Sequence, residues 1–392
     1  MTTSSPTSTP ISPDLLRGYE YLETTERGLR PHRLPTWVTE QFPDPQLLGA
    51  EAQPSGVRVA MVTKAEHVTL VVHSTRLAYK GIKRLRGNID LVVDHQLVAS
   101  DQLTGGDAYD TDLQTGATQL IPGSAHTTRF TGLGPGEKLV ELWLPHNEQI
   151  ELIELTTDAP AAPAPTDASR WLHHGSSISH GSNATSPART WPALAARLGG
   201  VELRNLGFGG SAVVDPFMAR VMRDTPADVI SLKLGINVVN SDAMRLRAFV
   251  PAVHGFLDTI RDGHPTTPIL LVSPTYCGIH EDTPGPGAFD PDTFRTGNVR
   301  FFATGEPGDT ALGRLTLRVI RDALASIVEA RDDDNLHYLD GIELYGPDDA
   351  IEHPLLDELH PDTAAHELIG TRFARHAFAP DGPFATARNH RA

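Results

Sequence analysis

Two textures of apolar and polar positions follow one another along the chain. From Gly56 onward the apolar residues come at every second position in short runs. Val57, Val59 and Met61 alternate with Arg58 and Ala60; Val68, Leu70 and Val72 form another set, and Ile89, Leu91 and Val93 a third. Leu139–Leu144 and Ile150–Leu155 read the same way. Arg86-Gly87-Asn88, Thr104-Gly105-Gly106-Asp107 and Gly132-Leu133-Gly134-Pro135-Gly136 lie between them as turn signals. Period-two runs with such punctuation predict an antiparallel all-β sandwich, jelly-roll-like, over residues 14–157. Its His67, His73, His95 and His126 read as strand or surface residues rather than ligands.

The second texture begins after Asp158–Ala168, an alternating Ala/Pro stretch that predicts an extended connector between domains. From Ser169 strand, loop and helix repeat. Arg170–His173, Val201–Leu206, Asp228–Leu234, Pro268–Ser273 and Leu336–Asp340 are the strand candidates. Between them, Leu246, Phe249, Val250, Val253, Phe256, Leu257 and Ile260 have helical spacing, as do Leu315, Val319, Ile320, Ala323, Leu324, Ile327 and Val328. Pro251 should start or kink the first of these helices. A last helix runs from about Ala364 to Phe378. Alternating strands and helices predict an α/β domain with a parallel sheet over residues 169–380, and sites in such sheets gather beyond the carboxyl ends of the strands. Residues 381–392 read as a tail.

Composition narrows the classes of function. The chain has 392 residues, long enough for two domains. Its 39% hydrophobic and 21% charged content is that of a soluble globular protein. A formal charge of −16 argues against nucleic acid or an anionic membrane as partner. The single cysteine, Cys277, excludes an internal disulfide framework and a four-cysteine metal site. Residues 1–13 are Ser/Thr/Pro-rich, without a basic start or apolar core, and read as a disordered tail rather than a secretory signal; a cytoplasmic location is the expectation. Residues 14–42 are mixed, and His32 and Arg33, flanked by prolines, read as a loop or as part of a binding site.

The chemistry centres on Trp171–Gly181, WLHHGSSISHG, in which an apolar strand runs into Gly175-Ser176-Ser177. Ser177 is read as a nucleophile at the strand end. A serine hydroxyl needs a base within hydrogen-bond reach, a group to orient that base, and donors for the oxyanion. His360 in Asp357-Glu358-Leu359-His360-Pro361 is the candidate base: in a turn before a helix, Asp357 three residues earlier reaches one imidazole nitrogen and leaves the other outward. Pro361 suits the first position of the last helix. Two stretches offer oxyanion donors: Asn205–Ala212, whose glycines allow close backbone approach, and Leu234-Gly235-Ile236-Asn237, with a side-chain amide. The nucleophile-elbow pattern Gly-x-Ser-x-Gly is not met, since its fifth position is Ser179. His173 and His174 are adjacent in a strand and should point to opposite faces, so with His180 they make no metal site. No cofactor is expected. Residues 277–309 form a long connection without periodicity, either a lid or binding loop or an ordered surface insertion.

In this order, on successive strand ends, the blocks resemble the SGNH hydrolases, also called GDSL lipases and acylhydrolases. The resemblance covers about Ser169–Ala379. It makes Ser177 the nucleophile rather than Ser176, which stands where the family usually has Asp. It assigns Asp357 and His360 as its partners, and the Ser177 N–H, the Gly210 N–H and the Asn237 side chain as the oxyanion hole. The implied fold is a three-layer α/β/α sandwich, close to flavodoxin-like. An all-β domain ahead of it looks like that of some bacterial carbohydrate esterases. The function this implies is a serine esterase acting on a small-molecule or carbohydrate ester, such as an acetylated sugar or glycosylated metabolite. An acyltransferase or thioesterase with the same triad is the alternative, and a non-catalytic carbohydrate-binding protein the third reading.

Overall fold

The computed structural model describes residues 7–82, 84–113, 115–165, 167–296 and 299–385. Their chain groups into two compact units: Met1–Thr36, Glu51–Thr166 and Thr185–Ala188 in one, Trp37–Ala50, Asp167–Ala184 and Arg189–Ala392 in the other.

The first unit is all-β. Arg58–Thr63, Lys138–Trp143, Asn88–Val93 and Gln96–Gln102 pair antiparallel in one sheet, while His67–Tyr79 and Gln149–Thr157 are the centre of the other. Alternation explains the core: Val59, Met61, Val140 and Leu142 from one sheet share an apolar cluster with Leu70, Val72, Ile150 and Leu152 from the other. The intervening positions are also buried, because they pair. Arg58 donates to Glu141 at 2.7 Å and lies over the Trp143 ring. His32, stacked on Tyr21, is bound to Glu51 and Glu23, and Arg33 is fully buried beside Glu51.

Three expectations change here. The sandwich is not wholly antiparallel, since Thr75–Tyr79 runs parallel to Asp107–Thr111. The Ala/Pro stretch includes a short edge strand, Ala161–Pro163, on Arg58–Thr63, a position where proline costs no internal ladder bond. Residues 1–6 of the predicted tail lie outside the described residues, but Thr7–Thr9 is a strand on Gln149–Thr157, its backbone groups satisfied by the ladder.

The second unit is built on five parallel strands, β1 (Arg170–Gly175), β2 (Glu202–Gly207), β3 (Val229–Lys233), β4 (Ile269–Val272) and β5 (Leu336–Leu339), in the order β2-β1-β3-β4-β5. This is the flavodoxin-like order, with its switch point at β1 and β3. Strands such as β4 are unbroken apolar runs because both faces are covered. β1 shows the two faces. Trp171 packs on Trp191 of a helix at Trp191–Gly199 and on Phe373 of the last helix, Thr363–Ala377. His174, on the opposite face, stacks on Phe256 of the helix Leu246–Gly263. The result is an α/β/α sandwich. Pro251 neither starts nor breaks that helix; it lies inside the helix near its amino end, where only one backbone bond is forgone. Beyond the last helix, Phe384 is fully buried against Phe378, so the predicted tail from 381 is packed at its start; residues 386–392 lie outside the described residues.

Residues 37–50 sit within the 14–157 span in sequence yet fold with this second unit. Two short helices, α1 (Thr36–Gln41) and α2 (Pro45–Glu51), carry them. Phe42 packs on Phe217, and Arg220 lies over the Trp37 ring; both partners belong to the helix Pro216–Asp224 that follows β2.

Candidate active site

Ser177 stands where β1 turns into a short helix, Ser177–His180. Ser176 caps that helix through its hydroxyl, which accepts the Ile178 N–H at 3.4 Å, and it is itself buried. The loop is fixed from below by neutral polar groups. His173 bridges the Ser231 hydroxyl at 2.7 Å and the Ser179 hydroxyl at 2.8 Å. Asn205 donates to the Ser179 carbonyl at 2.9 Å. Gly207 is required by proximity, since a Cβ there would stand 2.5 Å from the Ser179 carbonyl carbon. Burial holds His173 well below its ordinary range and His174 at about 4, so both are neutral at pH 7. They point to opposite faces, His174 toward the Leu206 carbonyl.

His360 reaches Ser177. Its Nε2 is 3.0 Å from the Ser177 Oγ, and its Nδ1 is 2.8 Å from Asp357 Oδ2. The other Asp357 oxygen accepts the backbone N–H groups of Leu359 at 3.0 Å and His360 at 2.7 Å. Burial alone would raise the Asp357 carboxyl, but the His360 imidazole and these two N–H groups outweigh it and hold it below the usual range. Pro361 is not the first helical residue: Asp362 caps the helix, accepting the Ala365 N–H at 2.9 Å, and Pro361 precedes the cap.

The turn after β2 lies against Ser177, with a Cβ built on Gly209 falling 3.8 Å from Ser177 Cβ. Most of its N–H groups are engaged. Phe208 donates to the Gly175 carbonyl at 2.8 Å, Gly209 to His180 Nδ1 at 3.3 Å, Ser211 to the Phe208 carbonyl at 3.2 Å and Ala212 to Asn237 Oδ1 at 3.1 Å. Gly210, at φ +73°, has an N–H with no acceptor among the described residues. Because Asn237 Oδ1 is bound by Ala212, its amino group is the end left available.

The 277–309 segment is ordered in its described parts, with a strand pair at Gly287–Phe289 and Phe301–Ala303. Phe301 donates its N–H to the Asp357 carbonyl at 2.9 Å and sets its ring edge-on to His360 at 5.6 Å. Cys277 is buried and its thiol donates to the Glu358 carbonyl; burial pushes its pKa up to about 12, which leaves no thiolate for attack.

Residues 174–368 match the model of the GDSL-like lipase/acylhydrolase family, and residues 15–153 match that of the SsfX3 N-terminal domain. The protein has a GDSL-like lipase/acylhydrolase domain. Among solved structures, the salicylyl-acyltransferase SsfX3 from a tetracycline biosynthetic pathway is similar at 28% identity, with a TM-score of 0.76, over 95% of this chain and 96% of that one. A Bacteroides ovatus protein described as a GDSL-like lipase aligns over 94% of this chain and 96% of its own at 19% identity and a TM-score of 0.65. A family two carbohydrate esterase from Clostridium thermocellum aligns over 82% and 91% at 15% identity and a TM-score of 0.53. No curated protein sequence matches. Among the described residues no helix is long and apolar enough to cross a membrane.

Two residues of this GDSL-like domain escaped the sequence reading. Asn183, at φ +67°, donates to Asp357 Oδ2 at 3.0 Å. His366 sets the loop that carries it: the imidazole accepts the Trp191 N–H at Nδ1 and therefore donates from Nε2 to the Ser182 carbonyl at 2.9 Å. An Asn after Ser-His-Gly-Ser is an ordinary loop residue in sequence, and only a helix-borne His on the inward face hinted at the second.

Proposed function

We propose that this protein transfers an acyl group through Ser177. His360 takes the hydroxyl proton as Oγ attacks the carbonyl carbon, and Asp357 stabilises the imidazolium. The oxyanion is met by the N–H groups of Ser177 and Gly210 and by the Asn237 amino group. His360 then gives its proton to the departing alcohol as the carbonyl–oxygen bond breaks. In the second half, water attacks the acyl-enzyme while His360 takes its proton, and His360 returns that proton to Ser177 Oγ as the acyl–Oγ bond breaks. The product is a carboxylic acid, and the reaction an ester hydrolysis of a small-molecule or carbohydrate ester. The observation that carries this reading is the continuous chain Asp357–His360–Ser177 at 2.8 and 3.0 Å. Short-chain aryl ester turnover by wild type and Ser177→Ala tests it: the variant should lose activity by about 10⁴-fold or more. Equal rates would sink the assignment.

The second reading keeps every step up to the acyl-enzyme and replaces water with an alcohol. The likeness to SsfX3 across 95% of this chain, amino-terminal domain included, favours it. Mass spectrometry of products formed with a competing alcohol separates the two: acylated alcohol in excess of free acid means transfer.

A further inference from the structure

The turn that carries Gly210 is held from outside by a residue far upstream in sequence. Gln46, on α2, donates its Nε2 to the Gly209 carbonyl at 2.8 Å. A Cβ built on Gly210 would stand 3.1 Å from that nitrogen and 3.3 Å from the Gln46 Cδ and Cγ, so the side chain covers the peptide joining the two glycines. The Gly209 carbonyl and the Gly210 N–H are opposite ends of that one planar unit. Fixing the oxygen on one side therefore aims the N–H on the other. Two consecutive glycines, the second at φ +73°, give the peptide little resistance of its own to rotation. The Ser211 hydroxyl approaches the same oxygen only at 3.5 Å. A donor on the carbonyl also polarises the amide and strengthens its N–H as a donor.

Gln46 is itself well placed for this. Asp44 accepts the Leu47 N–H at 2.8 Å and starts α2, and Pro45 occupies its first turn. Phe42 and Trp37 anchor the segment on Phe217 and Arg220, in the helix that begins just after the turn. The segment thus grips both the turn and its continuation.

We infer that Gln46 is a positioning residue for the oxyanion-stabilising peptide: it locks the Gly209–Gly210 amide so that the Gly210 N–H faces the developing charge. This rests on the reading of Gly210 as an oxyanion donor beside Ser177.

The test is steady-state hydrolysis of an aryl ester by wild type, Gln46→Met, Gln46→Glu and Ser177→Ala, with thermal melts of each. Gln46→Met keeps length and loses the donor. Its kcat should fall about tenfold, part of the 10²–10³ lost when an oxyanion donor is removed outright, with KM within about twofold. Its inactivation by an aryl phosphonate, whose charged oxygen mimics the oxyanion, should slow by the same factor. Gln46→Glu should be slower still at neutral pH, where a carboxylate faces the Gly209 carbonyl. Relative to wild type it should recover as pH falls through the ordinary glutamate range near 4.3, because a protonated carboxyl donates again. That recovery reports the donor and not the fold, so it decides the matter even where a variant melts early. Unchanged kcat in Gln46→Met, or a raised KM with unchanged kcat, overturns the inference, the latter by making Gln46 a substrate contact. Ser177→Ala retaining full activity would instead overturn the reading of the whole site.

Discussion

Buried polar groups are met differently in the sandwich core and in the floor beneath the Ser177 loop. The sandwich core includes ion pairs: Arg58 with Glu141 at 2.7 Å and Arg86 with Glu148 at 2.7 Å. Beneath the Ser177 loop the groups are neutral. His173 is met by two serine hydroxyls, His174 by a carbonyl, His366 by an N–H and a carbonyl. Burial depresses all three imidazoles, His366 to about 4. Beside Ser177, in the proposed reaction, each ion pair would add a field competing with the charges that form there. Neutral groups orient the loop and leave the Asp357 carboxylate as the charge that addresses His360. Lys233, paired with Gly175 across the sheet, is the exception, and burial pulls it down to about 8.

The sharpest way to break this contrast is to neutralise the charge that addresses His360. Asp357→Asn preserves shape while removing the carboxylate from the imidazole. It should lower kcat by about 10⁴, as loss of the carboxylate does in a Ser-His-Asp triad. A fall under tenfold in ester turnover, in a variant with an unchanged melt, would mean that Asp357 only shapes the turn.

The sandwich should respond to the reverse operation, through stability instead of rate. Glu141→Ala leaves the Arg58 guanidinium buried beside Trp143 without its carboxylate. Breaking a buried pair in this way costs about 3–5 kcal/mol. Urea unfolding should show that loss, with kcat of the surviving folded protein unchanged. A loss below about 1 kcal/mol would say that the Arg58 side chain finds water.

These contrasts were only partly legible in the residues. β4 was readable because a strand covered on both faces is an unbroken apolar run, the Ser177, Gly210 and Asn237 blocks because each follows a strand end, and Asp357 and His360 because of their spacing just before the last helix. The neutral lattice was not. His173 and Ser231 are ordinary residues until the sheet sets them side by side, 58 positions apart. Nor could α1 and α2 be placed: they are too short to show periodicity, and what binds Phe42 and Trp37 is a helix more than half the domain away in sequence. Edge strands such as Ala161–Pro163 fail for a related reason, since pairing there depends on the neighbour and not on local propensity.

Proton linkage gives a smaller effect with a definite sign. His366 and His174 titrate near 4 when folded and near 6.5 when unfolded. The unfolded chain therefore takes up protons first as the pH falls. Stability from these groups is full above 6.5 and declines down to about 4, by up to roughly 3 kcal/mol for each. Urea unfolding from pH 7 to 4.5 should show a shallower decline for His366→Gln, which retains an amide donor, than for wild type. Parallel curves would mean that His366 titrates alike in the folded and the unfolded chain.

The smallest expected effect tests how much of the site's order is supplied from outside Ser177, His360 and Asp357. Asp357 accepts four hydrogen bonds, from His360 Nδ1, two backbone N–H groups and Asn183 Nδ2. Asn183→Ala would confuse two losses, because φ is +67° there and alanine resists that conformation. Asn183→Gly keeps the backbone and removes only the side-chain donor. One charge-assisted bond is worth about 1.5–3 kcal/mol to the group that receives it, but the other three remain and water can enter the vacated position. The expected outcome is a fall in kcat of about three- to tenfold at constant KM, read on the same aryl ester. An unchanged kcat would show that the backbone N–H groups of Leu359 and His360 suffice to aim the carboxylate, so that the precision of the site is local to the Asp357–His360 turn. A fall near 10³ would point the other way, to a carboxylate aimed chiefly by Asn183 and, behind it, by the neutral His366 that holds the Ser182 carbonyl.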